Sequence, residues 1–416
     1  MKSDLSPADL LKLDDDGLLE AVARQTFRFF WEGAEPASLM ARDRSTTDKD
    51  TPDDLVAVGG TGFGVMALVV AVERGWVTRA EALPRLGHML DILERAERHH
   101  GAYPHFLHGQ TGRTIVFGPK DDGGDLVETA LLMMGLLTAR QYFAEDTIMG
   151  ARITALFDGV EWDFYRRGEN VLYWHWSPNY GWAMNHSIRG WNETLIVYVL
   201  AAGARRHGID AAVYEKGFCN SSDYRNGQHH DGITLPLGPQ GGGPLFFAHY
   251  SFCGLDPHGL SDAHANYWQQ NVAQVAFNRA HCIANPAGFK GYGPNCWGLT
   301  ASDDPSGYDA HAPNNDNGTI SPTAALASIP YAPEASMAAL RHFLSAHGEK
   351  IWGRFGFTDA FNETRDWWAN TFLAIDQGPI VVMMENYRTG LLWKHFMAAP
   401  EVRVGLRTLG FRSPEA

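Results

Sequence analysis

Cysteine is scarce: four residues in 416, at positions 219, 253, 282 and 296, with no C-x-x-C pair among them. A disulfide-stapled scaffold is excluded, and a reduced compartment is expected. Long apolar runs are missing too. No stretch of about 18 apolar residues occurs, so no membrane span is expected. The opening MKSDLSPADLLKLDDDG has neither the apolar core nor the small-residue cleavage site of a secretory leader. These absences point to a cytoplasmic location. Positive charge is also in deficit, with 34 Lys and Arg against 48 Asp and Glu and a net charge of −14. The basic residues are scattered, which argues against nucleic acid and membrane partners. The histidines form no H-E-x-x-H, and His99-His100 and His229-His230 lack zinc-ligand spacing. No metal is therefore expected at the reaction centre. No serine sits in a G-x-S-x-G elbow. The glycine run from Gly59 to Gly64 has no strand before it and no βαβ pattern after it, so no dinucleotide cofactor is expected. Those glycines read as a loop passing close to a buried helix N-terminus.

What is present is a core-forming chain, 45% hydrophobic and only 20% charged, with aromatics at 12% and 13 tryptophans. Apolar periodicity predicts helices over 18–31, 80–99, 147–160, 193–204, 261–283, 322–328, 333–347, 377–387 and 390–398. Short strands are expected only around 233–237, and 285–321 reads as a structureless polar loop. Charged surface helices alternate with helices apolar on every side, which must be buried. No linker or short repeat divides the chain. The expectation is an all-α fold: one (α/α)6 toroid with long rim loops, spanning 1–416 with its core at 18–412.

The segment 120–143, KDDGGDLVETALLMMGLLTARQYF, organises the rest. Gly123 and Gly124 are poor helix formers, so a buried helix starts near Asp125, with Asp121 on the loop before it. Asp121, Asp125 and Glu128 then crown that helix's mouth, an acidic cluster that costs free energy unless protonated, paired or used. Asp125 and Glu128 equally fit a capping box, Asp125 as N-cap and Glu128 at N3. Arg189-Gly190-Trp191-Asn192-Glu193 repeats the theme before the apolar LIVYVLAA. There Asn192 fits an N-cap, and Glu193 a first-turn acid or a carboxyl group beside an aromatic wall of Trp174, Trp176, Tyr180, Trp182 and Trp191. Asp376 opens another buried helix, where a plain N-cap also fits. Between Asn295 and Asn317 lie Asp303, Asp304, Asp309 and Asp316. An EF-hand register anchored on Gly318 puts Pro313 and Ala324 at ligand positions and fails. Several carboxyl groups at buried helix mouths, amid tryptophan and tyrosine, suit glycoside cleavage by an acid and a base.

The motifs KDDGGDLVETALLMMGLLTAR, LYWHWSPNYGWAMNHSIRGWNE, GPLFFAHYSFCGLDPHGL, NCWGLTASDDPSGYDAHAPNNDNGTISPTAAL and AIDQGPIVVMMENYRTGLLW resemble the glucoamylase-like family. That family includes the β-1,2-glucan-degrading enzymes of glycoside hydrolase family 144 and is similar to the transglycosylating module of cyclic β-1,2-glucan synthases. The resemblance implies an (α/α)6 barrel, an inverting hydrolase of β-1,2-glucan or its oligosaccharides, and no cofactor. It carries catalytic function onto Asp121, Asp125, Glu128, Glu193 and Asp376. It makes Trp174, Tyr180, Trp182, His186, Arg189, Trp191, Asn192, His249, Tyr250, Trp297, Asp303 and Tyr387 candidate substrate contacts. A transglycosylase and a non-catalytic glucan-binding protein are the alternatives.

Overall fold

Helices form where the apolar runs lie, and their ends fall on capping residues. Asp14 accepts from the Gly17 N–H to start Asp15–Trp31. Thr78 and Glu81 make a reciprocal capping box at the head of Arg79–Arg95. The computed structural model describes residues 5–48, 54–230 and 232–414. Residues 49–53 of the charged RDRSTTDKDTPDD stretch, and the first four residues of the N-terminus, lie outside them. No helix among the described residues is long and apolar enough to cross a membrane.

Two kinds of helix alternate. Val58–Glu73 is buried from Val58 to Ala71, Leu126–Tyr142 from Leu126 to Ala139, and Leu195–Gly203 throughout. Ala374–Thr389 is nearly as enclosed. Around them lie the amphipathic Asp15–Trp31, Arg79–Arg95, Thr147–Asp158, Tyr267–Ala284, Pro333–His342 and Pro400–Thr408. Helix 58–73 packs on helices 126–142, 374–389 and 15–31, and helix 195–203 packs on 126–142 and 400–408. Helix 79–95 packs on 58–73 and 147–158.

Glycines set how closely the inner helices approach. The run from Gly59 to Gly64 is helical rather than a loop, all of it inside helix 58–73. A Cβ at Gly62 would fall on the Leu131 carbonyl, and one at Gly135 on the Gly62 carbonyl. Helices 58–73 and 126–142 therefore touch backbone to backbone. On the other side Gly60 faces Ala374 and Gly378 faces Phe63. In both contacts the residue numbers rise together, so the three helices run parallel and their N-termini share one rim.

The all-α expectation, with short strands only around 233–237, undercounts the strands. Seven small sheets occur among the described residues, most of them pairs of strands two to four residues long. Gly124–Asp125 pairs with His175–Trp176, and Arg44–Thr46 pairs with Thr371–Leu373. Leu55–Ala57 pairs with Phe106–His108, and the expected strand Ile233–Leu237 pairs with Arg225–His230. The 285–321 loop is not structureless, because Ala301–Asp304 and Gly307–Ala310 form a hairpin within it. Strands this short bury too little to show a period-two pattern. Three of these strands, Leu55–Ala57, Gly124–Asp125 and Thr371–Leu373, run directly into the N-termini of helices 58–73, 126–142 and 374–389 and staple that rim.

Because the Gly62–Gly135 contact leaves no room for a methyl group, Gly62→Ala should destabilise the fold by at least about 1–3 kcal/mol, the cost of overpacking. Gly87, where a Cβ would meet nothing within 4 Å, is the control. Gly87→Ala should gain roughly 0.5–1 kcal/mol in a helix interior. Denaturant melts of the two variants measure both signs.

Candidate active site

Asp125 is the N-cap of helix 126–142. Its Oδ1 accepts from the backbone N–H groups of Val127 and Glu128, each at 2.9 Å. The capping box is only half made, because the Glu128 carboxyl turns away from Asp125 and accepts the Gly59 N–H at 2.7 Å. That bond needs a glycine, since a Cβ at position 59 would stand 2.6 Å from the same Glu128 oxygen. The second Asp125 oxygen faces three side chains: His105 Nδ1 at 3.2 Å, the Trp174 indole N–H at 3.2 Å and His175 Nε2 at 3.4 Å. His175 Nε2 also lies 3.1 Å from Asp121. The strand pair that sets Asp125 opposite His175 delivers this imidazole. The Ala57–Phe106 pairing does the same for His105.

Burial pushes every carboxyl here toward its neutral form, and the neighbours decide which yields. Burial raises Asp125, but the His105 bond, the charges of His175 and His105 and the Glu128 N–H outweigh it, and the carboxyl falls below its ordinary value. Asp121 is raised by burial and by Asp125, against the pull of His175 and His105. Glu128 is pushed up to about 7, by burial first and by Asp125, with His105 and the Gly59 N–H opposing. Glu193 also rises to about 7, driven by burial and the charges of Glu128 and Asp125. Burial lowers His105, yet Glu128, the bond to Asp125 and Asp121 together lift it to about 9. The mouth of helix 126–142 thus holds an ionised aspartate, Asp125, and a glutamic acid, Glu128, pushed up to about 7.

Glu193 sits just before helix 195–203, outside its first turn, and the N-cap is Thr194 rather than Asn192. Asn192 instead accepts from the Thr194 N–H and hydroxyl, turning the chain into the helix. Asp376 is not an N-cap either, because helix 374–389 is capped by Leu373 and Asp376 lies in its first turn. There it joins a second acidic group that sequence reasoning did not assemble. Asp376 and Asp359 are 3% and 2% exposed, and each has a buried oxygen with no hydrogen-bond partner. Burial and the mutual repulsion of the two raise Asp376 well above its ordinary value, and burial takes Asp359 to about 7. Two such carboxyls resist ionising together. Asp359 accepts the Asp303 N–H at 2.6 Å, and Asp303 is fixed by Arg44 at 3.1 Å and the Thr371 hydroxyl at 2.6 Å. Burial raises the Tyr250 hydroxyl, and the charges of both groups reinforce it, Asp376 most and then Glu193 and Glu128.

A cleft of about 470 Å³ opens beside Asp121, lined by His105, Phe117, Trp174, His175, Met184 and His186 among others. Trp174 stacks on His186 with ring centroids 4.9 Å apart, and Phe117 stacks on His105 at 4.2 Å. Flat apolar faces beside carboxyl groups are what a pyranose ring packs on. Several expected contacts lie elsewhere. Trp191 is 1% exposed with its indole N–H on Gln274, and Trp297 is fully buried, so both are core residues. His249 is interior and bonded to Ser328, and burial drives it down to about 3. Tyr387 lies eleven residues beyond Asp376 on the same helix, about 16 Å further along its axis. Arg189 reaches the carbonyls of Lys216 and Gly217. Trp182 packs on Phe164, and Tyr180 is exposed at a turn. Sequence reasoning missed His105, His175, Asp359 and Arg44. The tryptophans flanking His175 were a usable signal, but Asp359 has none, since only tertiary folding brings it to Asp376.

Known proteins share this arrangement of chain and fold. The family model named Glycoamylase matches residues 185–400. An exo β-1,2-glucooligosaccharide sophorohydrolase of Parabacteroides distasonis is 44% identical over 95% of this chain, and the chain spans 58% of that relative's length. An endo-β-1,2-glucanase from Chitinophaga pinensis, solved with sophorotriose and glucose, is 52% identical with a TM-score of 0.94, over 97% of this chain and all of the other. An endo-β-1,2-glucanase from Talaromyces funiculosus, solved with sophorose, shares the fold at 13% identity, with a TM-score of 0.65 over 93% of this chain and 87% of its own.

An acid works only while it holds its proton, so any reaction in which Glu193 donates one should lose kcat/KM as pH rises through about 7. A pH–rate profile measures this. A rate that holds level well above that pH contradicts the electrostatics described.

Proposed function

The chain belongs to the glucoamylase-like family, and from that premise we propose that the protein hydrolyses β-1,2-glucan or β-1,2-glucooligosaccharides. One observation carries the chemistry: two amides, an indole and two imidazoles face the Asp125 oxygens and hold it ionised, while burial and the charges of Glu128 and Asp125 hold Glu193 in its acid form. Cleavage needs a proton for the departing glycosidic oxygen and an activated water for the anomeric carbon. Glu193 supplies the proton. Asp125, held ionised by its donors, takes the proton that the attacking water gives up, relayed by a substrate hydroxyl or a second water. Until then its charge stabilises the positive charge that builds on the sugar ring. Asp125 and Glu128 position the water and the reacting sugar, and Asp121 supports them through His175. Asp376 and Asp359, which resist ionising together, offer sugar hydroxyls both an acceptor and a donor. Trp174 and His186 give the sugar a stacking face.

The fold in this reading is a single (α/α)6 toroid spanning the chain, with its core at 18–412. Parallel inner helices with their N-termini on one rim support it, as do the relatives. Their positive dipole ends all face the acidic cluster, which steadies its ionised members. The reaction in this reading inverts the anomeric centre. An inverting pair stands about 6.5–9.5 Å apart to leave room for water, against about 5 Å in a retaining pair. Glu193 and Asp125 come from the mouths of different helices.

Linear β-1,2-glucan tests the reading. New reducing ends should appear, and NMR in the first minutes should find the α-anomer. Glu193→Gln and Asp125→Asn should each lower turnover by at least about 10²-fold while the protein still folds. Redistribution of chain length without new reducing ends makes the protein a transglycosylase. Binding without turnover makes it a lectin. An initial β-anomer overturns inversion.

A further inference from the structure

Away from the acidic rim, helix Pro333–His342 ends in a π-helical turn, Phe343–His347. In an α-helix, side chains five residues apart diverge by about 140°. The wider turn removes that divergence and sets His342 and His347 side by side, ring centroids 5.5 Å apart. Such turns mark functional sites more often than plain helix does. The third group is Cys296, 2% exposed, arriving from the loop before the 301–310 hairpin. One ligand atom from each of the three lies within 4.8 Å of the others.

The imidazoles hold nitrogens in reserve. Nε2 of both His342 and His347 is buried without a hydrogen-bond partner. His347 Nε2 is 3.0 Å from a carboxylate oxygen of Glu363, off the line a hydrogen bond requires. Glu363 reaches the cluster across Gly291, where a side chain would collide with the carboxylate. Phe361 and Trp368 wall the other side of His347, with centroids at 4.9 and 5.2 Å. Buried imidazole nitrogens left unpaired cost free energy that a cation would recover.

We propose that Cys296, His342 and His347 bind a structural Zn²⁺, with the Glu363 carboxylate, already 3.0 Å from His347, turning in as the fourth ligand when the ion binds. A thiolate and two imidazoles match the ligand preference of zinc, and the carboxylate would close its tetrahedral geometry. The spacing hides the site from sequence, because His342 and His347 share a face only through the π turn. None of its ligands belongs to the carboxyl cavity, so the inference stands apart from the glucanase reading. Its structural role is to tie two loops together. Cys296 leads into the strand carrying Asp303, and Glu363 follows four residues after Asp359. A cation here pins the two segments that supply the second acidic group.

Cobalt(II) reports such a site directly, because a cysteine ligand gives a thiolate-to-metal charge-transfer band and tetrahedral geometry gives intense d–d bands. The metal-free full-length protein should take up one equivalent of Co²⁺ with both signatures, and Zn²⁺ should displace it. Cys296→Ser should abolish the charge-transfer band. His342→Gln, at a half-buried helix end, should fold and bind at least about tenfold more weakly. Cys219→Ser, removing the other thiol that lies near a histidine and a glutamate, should leave both signatures unchanged. Added Zn²⁺ should raise the melting temperature of the wild type, and by less that of His342→Gln at the same Zn²⁺ concentration. Absence of the thiolate band, its survival in Cys296→Ser, or its loss in Cys219→Ser overturns the proposal.

Discussion

The contact that the site depends on is between two glycines. Gly62 and Gly135 let helices 58–73 and 126–142 meet at their backbones. Any side chain there would push the helices apart by the thickness of a methyl group or more. With the helices that close, the Gly59 N–H reaches the Glu128 carboxyl and pulls it out of the local cap it would otherwise make with Asp125. The glycines weaken each helix taken alone. Both helices are buried on every side, so packing more than offsets that weakness. The chain gives up helix propensity to place one carboxyl group.

Electrostatics follows from that placement. Asp125, Glu128 and Asp121 crowd one buried helix mouth, where they do not all ionise together, and the charges of Glu128 and Asp125 reach Glu193 as well. Asp125 wins the charge because two amides, two imidazoles and an indole all face its oxygens. The cost falls on Glu128 and Glu193, which hold their protons to about 7. Asp359 and Asp376, with fewer donors facing them, are both pushed up instead. An acid and a charged partner arise here from geometry, without any special residue type.

Much of this was legible in the sequence, for physical reasons. The inner helices showed themselves as runs apolar on every side, and the acids at their mouths stood out because burial makes them expensive. Asp125 capping helix 126–142, with Asp121 on the loop before it, follows from Gly123 and Gly124 as helix breakers. Close approach at Gly59–Gly64 was also readable, but its helical form was not, because glycine's low propensity points to a loop. Trp191 and Trp297 misled for a related reason: tryptophan serves cores and sugar sites alike, and only burial separates the two. His105, His175 and Arg44 are delivered by strand pairs too short to leave a pattern. Asp359 and the His342–His347 pair depend on tertiary contact and on a π turn, neither of which local sequence encodes.

The central claim is that Glu193 keeps its proton to near neutral pH while Asp125 gives its own up in acid. Carboxyl ¹³C NMR of the labelled protein measures both directly, with the two signals assigned by their loss in Glu193→Gln and Asp125→Asn. The expected midpoint is about 7 for Glu193 and below the ordinary aspartate value for Asp125. A Glu193 carboxyl that titrates in the ordinary glutamate range, or an Asp125 that titrates above the ordinary aspartate value, would contradict the claim.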